Sequence, residues 1–352
     1  MSASFPLEAL QAGHWFKLIC GASYQHLPVI RNLALTYALA GADCVDVAAE
    51  PAVVRSALAG LEVYQQLTGR DRPWLMVSLN DGEDLHFRRA WFNPDRCPTD
   101  CPRPCERVCP TDAINSTGVQ SDRCYGCGRC LPICPIGLIE AQAWQVDAAA
   151  LLPELLDLGI EAIEIHTQVG HQQEFQQLWQ QLQPWLAQLQ AIAISCPAHP
   201  EAIAYLWDLH RLINGSVKTV IWQTDGRPMS GDIGAGTTHA AVRFAQTMLT
   251  DGPPGHVQLA GGTNAHTVAK LQELQLLAPR ATRSVAGIAC GGAARTPLAD
   301  LLEALAEQQR FLEAHPEVLQ SAVTTAIALV EPLKQAVSGT TRSIPAFLLQ
   351  TP

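Results

Sequence analysis

Eight cysteines between Cys97 and Cys134 have a spacing that suits iron–sulfur chemistry. The downstream four form the run C-x2-C-x2-C-x3-C-P: Cys124, Cys127, Cys130, Cys134 and Pro135. Two intervening residues let a tight loop present three thiolates to three irons of one cubane cluster, and the fourth cysteine, leaving with proline, points at a neighbouring cube. The run therefore predicts [4Fe–4S] clusters and redox work.

A second copy of this run lies upstream, as in a bacterial two-cluster ferredoxin. A shift of 25 residues superimposes Cys105, Cys109, Pro110 and Ile114 on Cys130, Cys134, Pro135 and Ile139. The upstream spacing is wider, because three residues separate neighbouring members of the set Cys97, Cys101, Cys105 and Cys109. By the exchange rule of two-cluster units, one cluster is held by Cys109, Cys124, Cys127 and Cys130, and the other by Cys97, Cys101, Cys105 and Cys134.

Two other interpretations use the same cysteines. Zinc sites also have closely spaced cysteines, but a zinc ribbon would not need the Cys-Pro that ends both copies. Free thiols packed this densely would oxidise or cross-link. Iron–sulfur clusters are therefore the preferred interpretation.

Two glycine pairs follow the last two predicted strands. They are Gly261-Gly262 and Gly291-Gly292. In barrels the corresponding loops often bind phosphate, because glycines let backbone amides approach an anion. Two interpretations stay open for these four residues: a site for phosphate or for the phosphate of a flavin such as FMN, and plain turns.

A histidine ends the predicted fourth strand, Ile163-Glu164-Ile165-His166. Strand alternation places Glu164 and His166 on the same face. The phrase resembles a strand of the old yellow enzyme type of flavin-dependent barrel, although Val169 stands where that family has asparagine. We favour a buried structural histidine.

Repeated strand–helix units must position these residues. The predicted strands are Phe16–Cys20, Cys44–Ala48, Trp74–Leu79, Glu161–His166, Ala191–Ser195, Lys218–Trp222, His256–Ala260 and Val285–Ala289. The predicted helices are Leu27–Ala40, Pro51–Leu61, Asp147–Leu158, Gln172–Leu189, Pro200–Ile213, Thr237–Leu249, Ala265–Leu276, Pro297–Glu313 and Glu317–Val337. Eight such units predict an α/β fold, a (β/α)8 TIM-barrel-like domain with an inserted two-cluster bacterial ferredoxin-like, 2[4Fe–4S], module; an open doubly wound sheet is the alternative.

The predicted insert divides the barrel. Residues 1–85 supply its first three strands, 86–143 the ferredoxin-like insert, 144–337 the rest, and 338–352 a tail. Cys20, Cys196 and Cys290 end three strands and are expected to pack as small hydrophobes. The long loop 223–236 is expected to be a lid or a partner surface.

Composition limits the partners and the compartment. A net charge of −10 disfavours nucleic acid and anionic lipid surfaces. No apolar stretch reaches the roughly 18 residues of a membrane span, and Met1 to Leu10 carries no basic segment followed by an apolar core, so we expect no targeting signal there. We expect a cytoplasmic protein with no disulfides.

The cysteine duplication, together with the stretch from Trp144 through His166 and Gly261-Gly262 to Cys290-Gly291-Gly292, resembles the cyanobacterial light-dependent period (LdpA) family. The resemblance implies an iron–sulfur protein that conveys light, sensed as cellular redox state, to the circadian clock, in company with clock and clock-input proteins. Quinone or ferredoxin-type redox partners are also expected. Our first hypothesis is a redox-sensing signalling protein rather than an enzyme. The second is an FMN-dependent barrel oxidoreductase fed by two [4Fe–4S] clusters, and the third a simple electron carrier.

Overall fold

In the computed structural model, eight parallel strands close into a barrel. The structure describes residues 5–124, 126–143, 147–213, 215–226, 236–278 and 283–339. The barrel strands are β1 (Trp15–Gly21), β2 (Cys44–Ala48), β3 (Trp74–Asn80), β8 (Ala162–His166), β9 (Ala191–Pro197), β10 (Val220–Asp225), β11 (His256–Ala260) and β12 (Gly287–Cys290). Their order around the barrel is β1-β12-β11-β10-β9-β8-β3-β2, and every neighbouring pair is parallel. The predicted barrel is confirmed, and the open sheet is wrong.

The predicted insert lies between β3 and the helix that covers residues 148–157. Its first and last strands, β4 (Arg88–Trp91) and β7 (Glu140–Ala143), pair antiparallel and so close the insert at its base. A two-residue pair, β5 (Ile114–Asn115) with β6 (Gly118–Val119), lies between them.

Helices cover the outside of the barrel, and one short helix lies in the insert. They are α1 (Phe5–Ala12), α2 (Leu27–Ala40), α3 (Pro51–Thr68), α4 (Pro104–Val108) in the insert, α5 (Ala148–Asp157), α6 (Gln172–Leu182), α7 (Ala202–Ile213), α8 (Thr238–Asp251), α9 (Thr267–Glu273), α10 (Gly292–Arg295), α11 (Ala299–Glu307) and α12 (Pro316–Ser338). The helices α1, α4 and α10 were not predicted. Among the described residues, none of these helices has the length and hydrophobicity to cross a bilayer.

Six of the eight predicted strands have different bounds in the structure, and β10 and β12 differ most. The strand β10 runs on to Asp225 because its polar end pairs with both β9 and β11. The strand β12 begins at Gly287 rather than at Val285, which makes an isolated bridge to Leu277. A Cβ at Gly287 would lie 2.2 Å from the Trp15 carbonyl oxygen, so glycine allows the two strands to approach. Most of the predicted lid, residues 227–235 of 223–236, and the predicted tail from residue 340 lie outside the described residues.

The core has two layers, one outside the barrel sheet and one inside it. Outward side chains such as Phe16 and Leu18 pack against the helices. Inward side chains at the amino-terminal end of the barrel are apolar, and Trp15 and Trp74 meet there edge to face at 5.6 Å. Further along the strands the inward positions become polar, and this change brings charged groups toward the mouth of the barrel.

Candidate functional site

The eight motif cysteines lie in two separate groups of four within the insert. One cavity, of about 620 Å³, is lined by Cys109, Cys124, Cys127 and Cys130. A second, of about 410 Å³, is lined by Cys97, Cys101, Cys105 and Cys134. We call these the inner and the outer cavity, because the inner one lies against the β4–β7 ribbon. These groups of four are those that the exchange rule pairs.

Backbone amides donate to the cysteine sulfurs at matching places in the two copies. The amide of Ala113 donates to Cys109 Sγ at 3.2 Å, and the amide of Leu138 donates to Cys134 Sγ at 3.3 Å. These two bonds are related by the shift of 25 residues. A third amide, that of Ala90 in β4, donates to Cys124 Sγ at 3.4 Å. The two cavities are therefore lined with donors suited to thiolate sulfur.

The duplication also appears in the backbone. Arg103 and Gly128, one shift apart, both have left-handed φ values, of 46° and 75°. Asp112 and Gly137 form a second such pair, at 46° and 61°. The loops of the two copies turn at the same places, and the upstream copy does so without glycine.

Cys134 differs in acidity from other cysteines of the insert, because burial raises the pKa of Cys97, Cys105 and Cys127 above the ordinary value. Burial raises the pKa of Cys130 to about 12. Burial also acts against ionisation of Cys134, but backbone amides of residues 136–139 lower the pKa of that thiol below its usual value. A bound metal stabilises the thiolate form at every such position. The donor set, four sulfurs per cavity with amides directed at them, fits an iron–sulfur cluster in each.

The insert is fastened to the barrel near its mouth. Arg89, which lines the inner cavity, donates to the Ser23 carbonyl at 2.8 Å, and Ser23 in turn donates to the carbonyl of His86. Nearby, the amide of Gln25 donates to the carbonyl of Asp122 at 3.1 Å. The inner cavity is thus joined by hydrogen bonds to the loop that follows β1.

A charged network fills the middle of the barrel. Lys17 is fully buried, forms an ion pair with Glu164, and lies 3.5 Å from Asp46 Oδ2. Burial disfavours its charge, but the two carboxylates raise the pKa of Lys17 above its ordinary value. Burial raises the pKa of Asp46 to about 6 even though Lys17 lies beside it.

His166 shares Glu164 with Lys17. The His166 Nε2 atom lies 3.0 Å from Glu164 Oε1, so the two side chains share a face, as alternation predicted. Gln223 donates to the same oxygen at 2.7 Å. Burial acts against ionisation of both groups, yet Lys17 and His166 lower the pKa of Glu164 to about 2, and Glu164 with Asp84 raises the pKa of His166 to about 9.

The predicted glycine pairs meet at the mouth. Gly261, Gly262, Gly291 and Gly292 line one cavity of about 800 Å³, whose wall also includes Glu164, His166, Asp225 and Arg295. Gly262 has a turn role, since its φ is +114° and a Cβ there would lie 2.8 Å from the Thr237 carbonyl oxygen. At Gly291 a Cβ would meet nothing closer than 3.6 Å, so neither φ nor packing against protein atoms requires glycine there.

The cysteines near the ends of three barrel strands are buried between the strands and the surrounding helices. Cys20, Cys196 and Cys290 are each 0% exposed and belong to the outer core. Burial raises the pKa of Cys20 and of Cys290 to about 12. These thiols pack as hydrophobes.

Sequence analysis missed the acidic and basic groups that face His166. Lys17 and Asp46 lie inside predicted strands, and Asp84 and His86 lie at the start of the insert. A signal was present for the first two, because a charged residue between apolar neighbours at an inward strand position is rare unless it is paired.

Two family models match the chain. The one described as the Light dependent period A C-terminal domain matches residues 154–332, and the one described as the LdpA Fe-S cluster-binding domain matches residues 97–145. The curated protein Light dependent period A of Synechococcus elongatus is 91% identical over 352 residues, which is 100% of both chains.

Two solved structures are similar to this chain at low identity. Tryptophan synthase from M. tuberculosis is 12% identical, with 95% of this chain and 100% of that chain covered and a TM-score of 0.41. The tryptophan synthase alpha subunit from Legionella pneumophila is 10% identical, with 96% and 100% covered and a TM-score of 0.43.

Proposed function

This chain belongs to the light-dependent period A family and carries that family's iron–sulfur cluster-binding domain; from this premise we propose that it is a redox sensor with two [4Fe–4S] clusters. The clusters would report the light-dependent redox state of the cell to the circadian clock through clock and clock-input proteins. The observation that carries the proposal is the separation of eight cysteines into two cavities of four thiols each.

The spacing of the sulfurs favours cubanes over zinc. A tetrahedral zinc site with Zn–S bonds of about 2.3 Å needs its sulfurs roughly 3.8 Å apart. Among the described residues, which include all eight cysteines, no three cysteine sulfurs lie within 4.8 Å of one another. A cubane places each thiolate on a different iron atom, so its sulfurs are further apart.

The outer cavity is suited to electron exchange with partners. Three of its four cysteines are partly exposed, and Ile136 in its wall is 54% exposed. Ile133, on the same loop, is 41% exposed. An apolar patch beside a partly exposed cluster suits a quinone or a ferredoxin-type protein, which we propose as redox partners.

The inner cavity is suited to pass a change of charge to the barrel. Reduction would add one negative charge beside Arg89, whose guanidinium also holds the Ser23 carbonyl. A stronger electrostatic attraction between the reduced cluster and the Arg89 guanidinium would move the loop after β1, and this loop is part of the barrel mouth. The proposed signal is therefore a change in the surface near residues 22–26 and 86–90.

Anaerobic purification followed by hydrogen exchange tests this proposal. We expect iron near eight atoms per chain, estimated as four per cubane, and faster or slower amide exchange at residues 22–26 when dithionite reduces the clusters. Arg89→Met should keep the iron and lose the redox-dependent difference in exchange. Iron-free protein, or exchange that is identical in both redox states, contradicts the sensor.

A flavin-dependent oxidoreductase is the second candidate, and the mouth cavity favours it. The cavity brings the two glycine pairs next to His166 and Arg295, and the space at Gly291 is left open by protein atoms. We propose Gly261, Gly262, Gly291 and Gly292 as the place for an FMN phosphate. Flavin released by heat from the anaerobic protein decides between the candidates: one FMN per chain favours the enzyme, and its absence together with full iron favours the sensor.

A further inference from the structure

Three metal-binding side chains converge where the insert leaves the barrel. Asp84 Oδ1 lies 2.9 Å from His86 Nδ1 and 3.8 Å from His166 Nδ1. One donor atom from each residue lies within 4.8 Å of the other two. Two imidazole nitrogens and one carboxylate oxygen form a common donor set for divalent transition metals such as Zn(II) or Fe(II).

His166 is held in the orientation that a metal ligand needs. It is 6% exposed, its Nε2 atom is bound to Glu164 Oε1, and Glu164 is itself held by Lys17. A carboxylate behind a histidine fixes the ring and directs the other nitrogen at the metal. That nitrogen, Nδ1, faces Asp84 at 3.8 Å, which is too long for a hydrogen bond between the two.

The ring environment also favours positive charge at this point. Glu164 lies on one side of the imidazole and Asp84 on the other. A bound metal ion would supply this positive charge, just as a second proton on the imidazole ring would. Phe87 packs edge-on against His166 with ring centroids 5.3 Å apart and limits its rotation.

We propose that Asp84, His86 and His166 bind one divalent transition-metal ion, separate from the iron–sulfur clusters. The three residues line a cavity of about 710 Å³ that also contains Ser195 and Asp225. Its remaining coordination positions therefore face open space, as in sites that bind water or a small substrate. The site needs no cluster, so it does not depend on the proposed sensor function.

The chain contains a matched control. His171 Nδ1 lies 2.9 Å from Asp81 Oδ1, the same separation as in the Asp84–His86 pair. Among the described residues, no third donor completes a metal-binding group there. The Asp81–His171 pair therefore serves as the control for an aspartate–histidine pair that does not bind a metal ion.

Zinc titration by calorimetry tests the proposal on anaerobic holoprotein after a brief EDTA wash. We expect one zinc per chain, at least tenfold weaker binding in His86→Ala and in Asp84→Asn, and unchanged binding in His171→Ala. Visible absorbance, recorded throughout, shows whether the clusters stay intact and so tests the sensor separately. No uptake, uptake that bleaches the clusters, or equal binding in all variants overturns the site.

Discussion

The insert and the barrel mouth both collect chemically active side chains, but they do so in opposite ways. In the insert, the cysteines of each cavity come from short loops within one stretch of chain, and little apolar core surrounds them, with Phe92, Ile114 and Ile139 as its main members. In the barrel, Lys17, Asp46 and Glu164 come from three different strands and lie inside a large core.

The difference indicates what stabilises each region. A small loop-rich unit depends on its metal, because metal binding and folding are coupled there. The barrel depends on buried apolar area, and its charges persist only because they are paired. Loss of a ligand should therefore unfold the insert and leave the barrel, whereas loss of a buried charge should weaken the barrel and leave the clusters.

The largest expected effect is the loss of a cluster. Cys127→Ser should reduce iron by about four atoms per chain, which is one cubane, and disorder the inner half of the insert. Far-UV circular dichroism should keep the barrel signal. Iron content and visible absorbance measure the loss, and Cys196→Ala, in the outer core, is the control that should retain both. Unchanged iron in Cys127→Ser contradicts our ligand assignment.

The next effect concerns the barrel charges. Lys17→Met leaves Glu164 and Asp46 buried without their shared cation and should lower the free energy of unfolding by about 3–5 kcal/mol. Urea denaturation followed by circular dichroism measures it, and the visible absorbance of the folded protein should stay unchanged. Adding Glu164→Gln should recover part of the loss. A decrease below about 1 kcal/mol would show that the buried pair is not what the barrel depends on.

A smaller effect should appear with pH. Burial raises the pKa of Asp46 to about 6, so between about pH 4 and that value the folded chain holds a proton there that the unfolded chain has lost. The contribution of Asp46 to the free energy of unfolding is therefore largest below about pH 4, and it is lost as the pH rises through about 6. Between about pH 5 and about pH 7.5 the wild type should lose about 1 kcal/mol more than Asp46→Asn. Parallel pH profiles would disprove the raised pKa.

The smallest expected effect separates the two copies of the insert. Gly128→Ala places a side chain at φ 75°, where its Cβ meets only Leu131 at 3.8 Å, so the strain is conformational and about 1 kcal/mol. Arg103→Gly, at the equivalent upstream position, should relieve a similar strain. The rate at which a chelator removes iron should rise slightly in the first variant and not in the second. If the chelator removes iron at the same rate from both variants, the left-handed turns at residues 103 and 128 do not carry the same conformational strain.

Much of the fold was predictable because its signals are local. Strand and helix periods depend on neighbours a few residues apart, and β2 and β11 have the predicted bounds. The cysteine motif is equally local, since a cluster takes three ligands from one short loop. The spacing also suggested the exchange of the fourth ligand, which the two cavities reproduce in their grouping.

The sequence by itself therefore determined the repeated units and the grouping of the cysteines. Only the tertiary structure decided which polar side chains meet inside the barrel, because closure and strand register bring together residues as distant as Lys17 and Glu164. The same closure places His166 against Asp84 and His86, across the point where the insert departs. No local pattern records such a meeting, since each residue is a single polar position in its own segment.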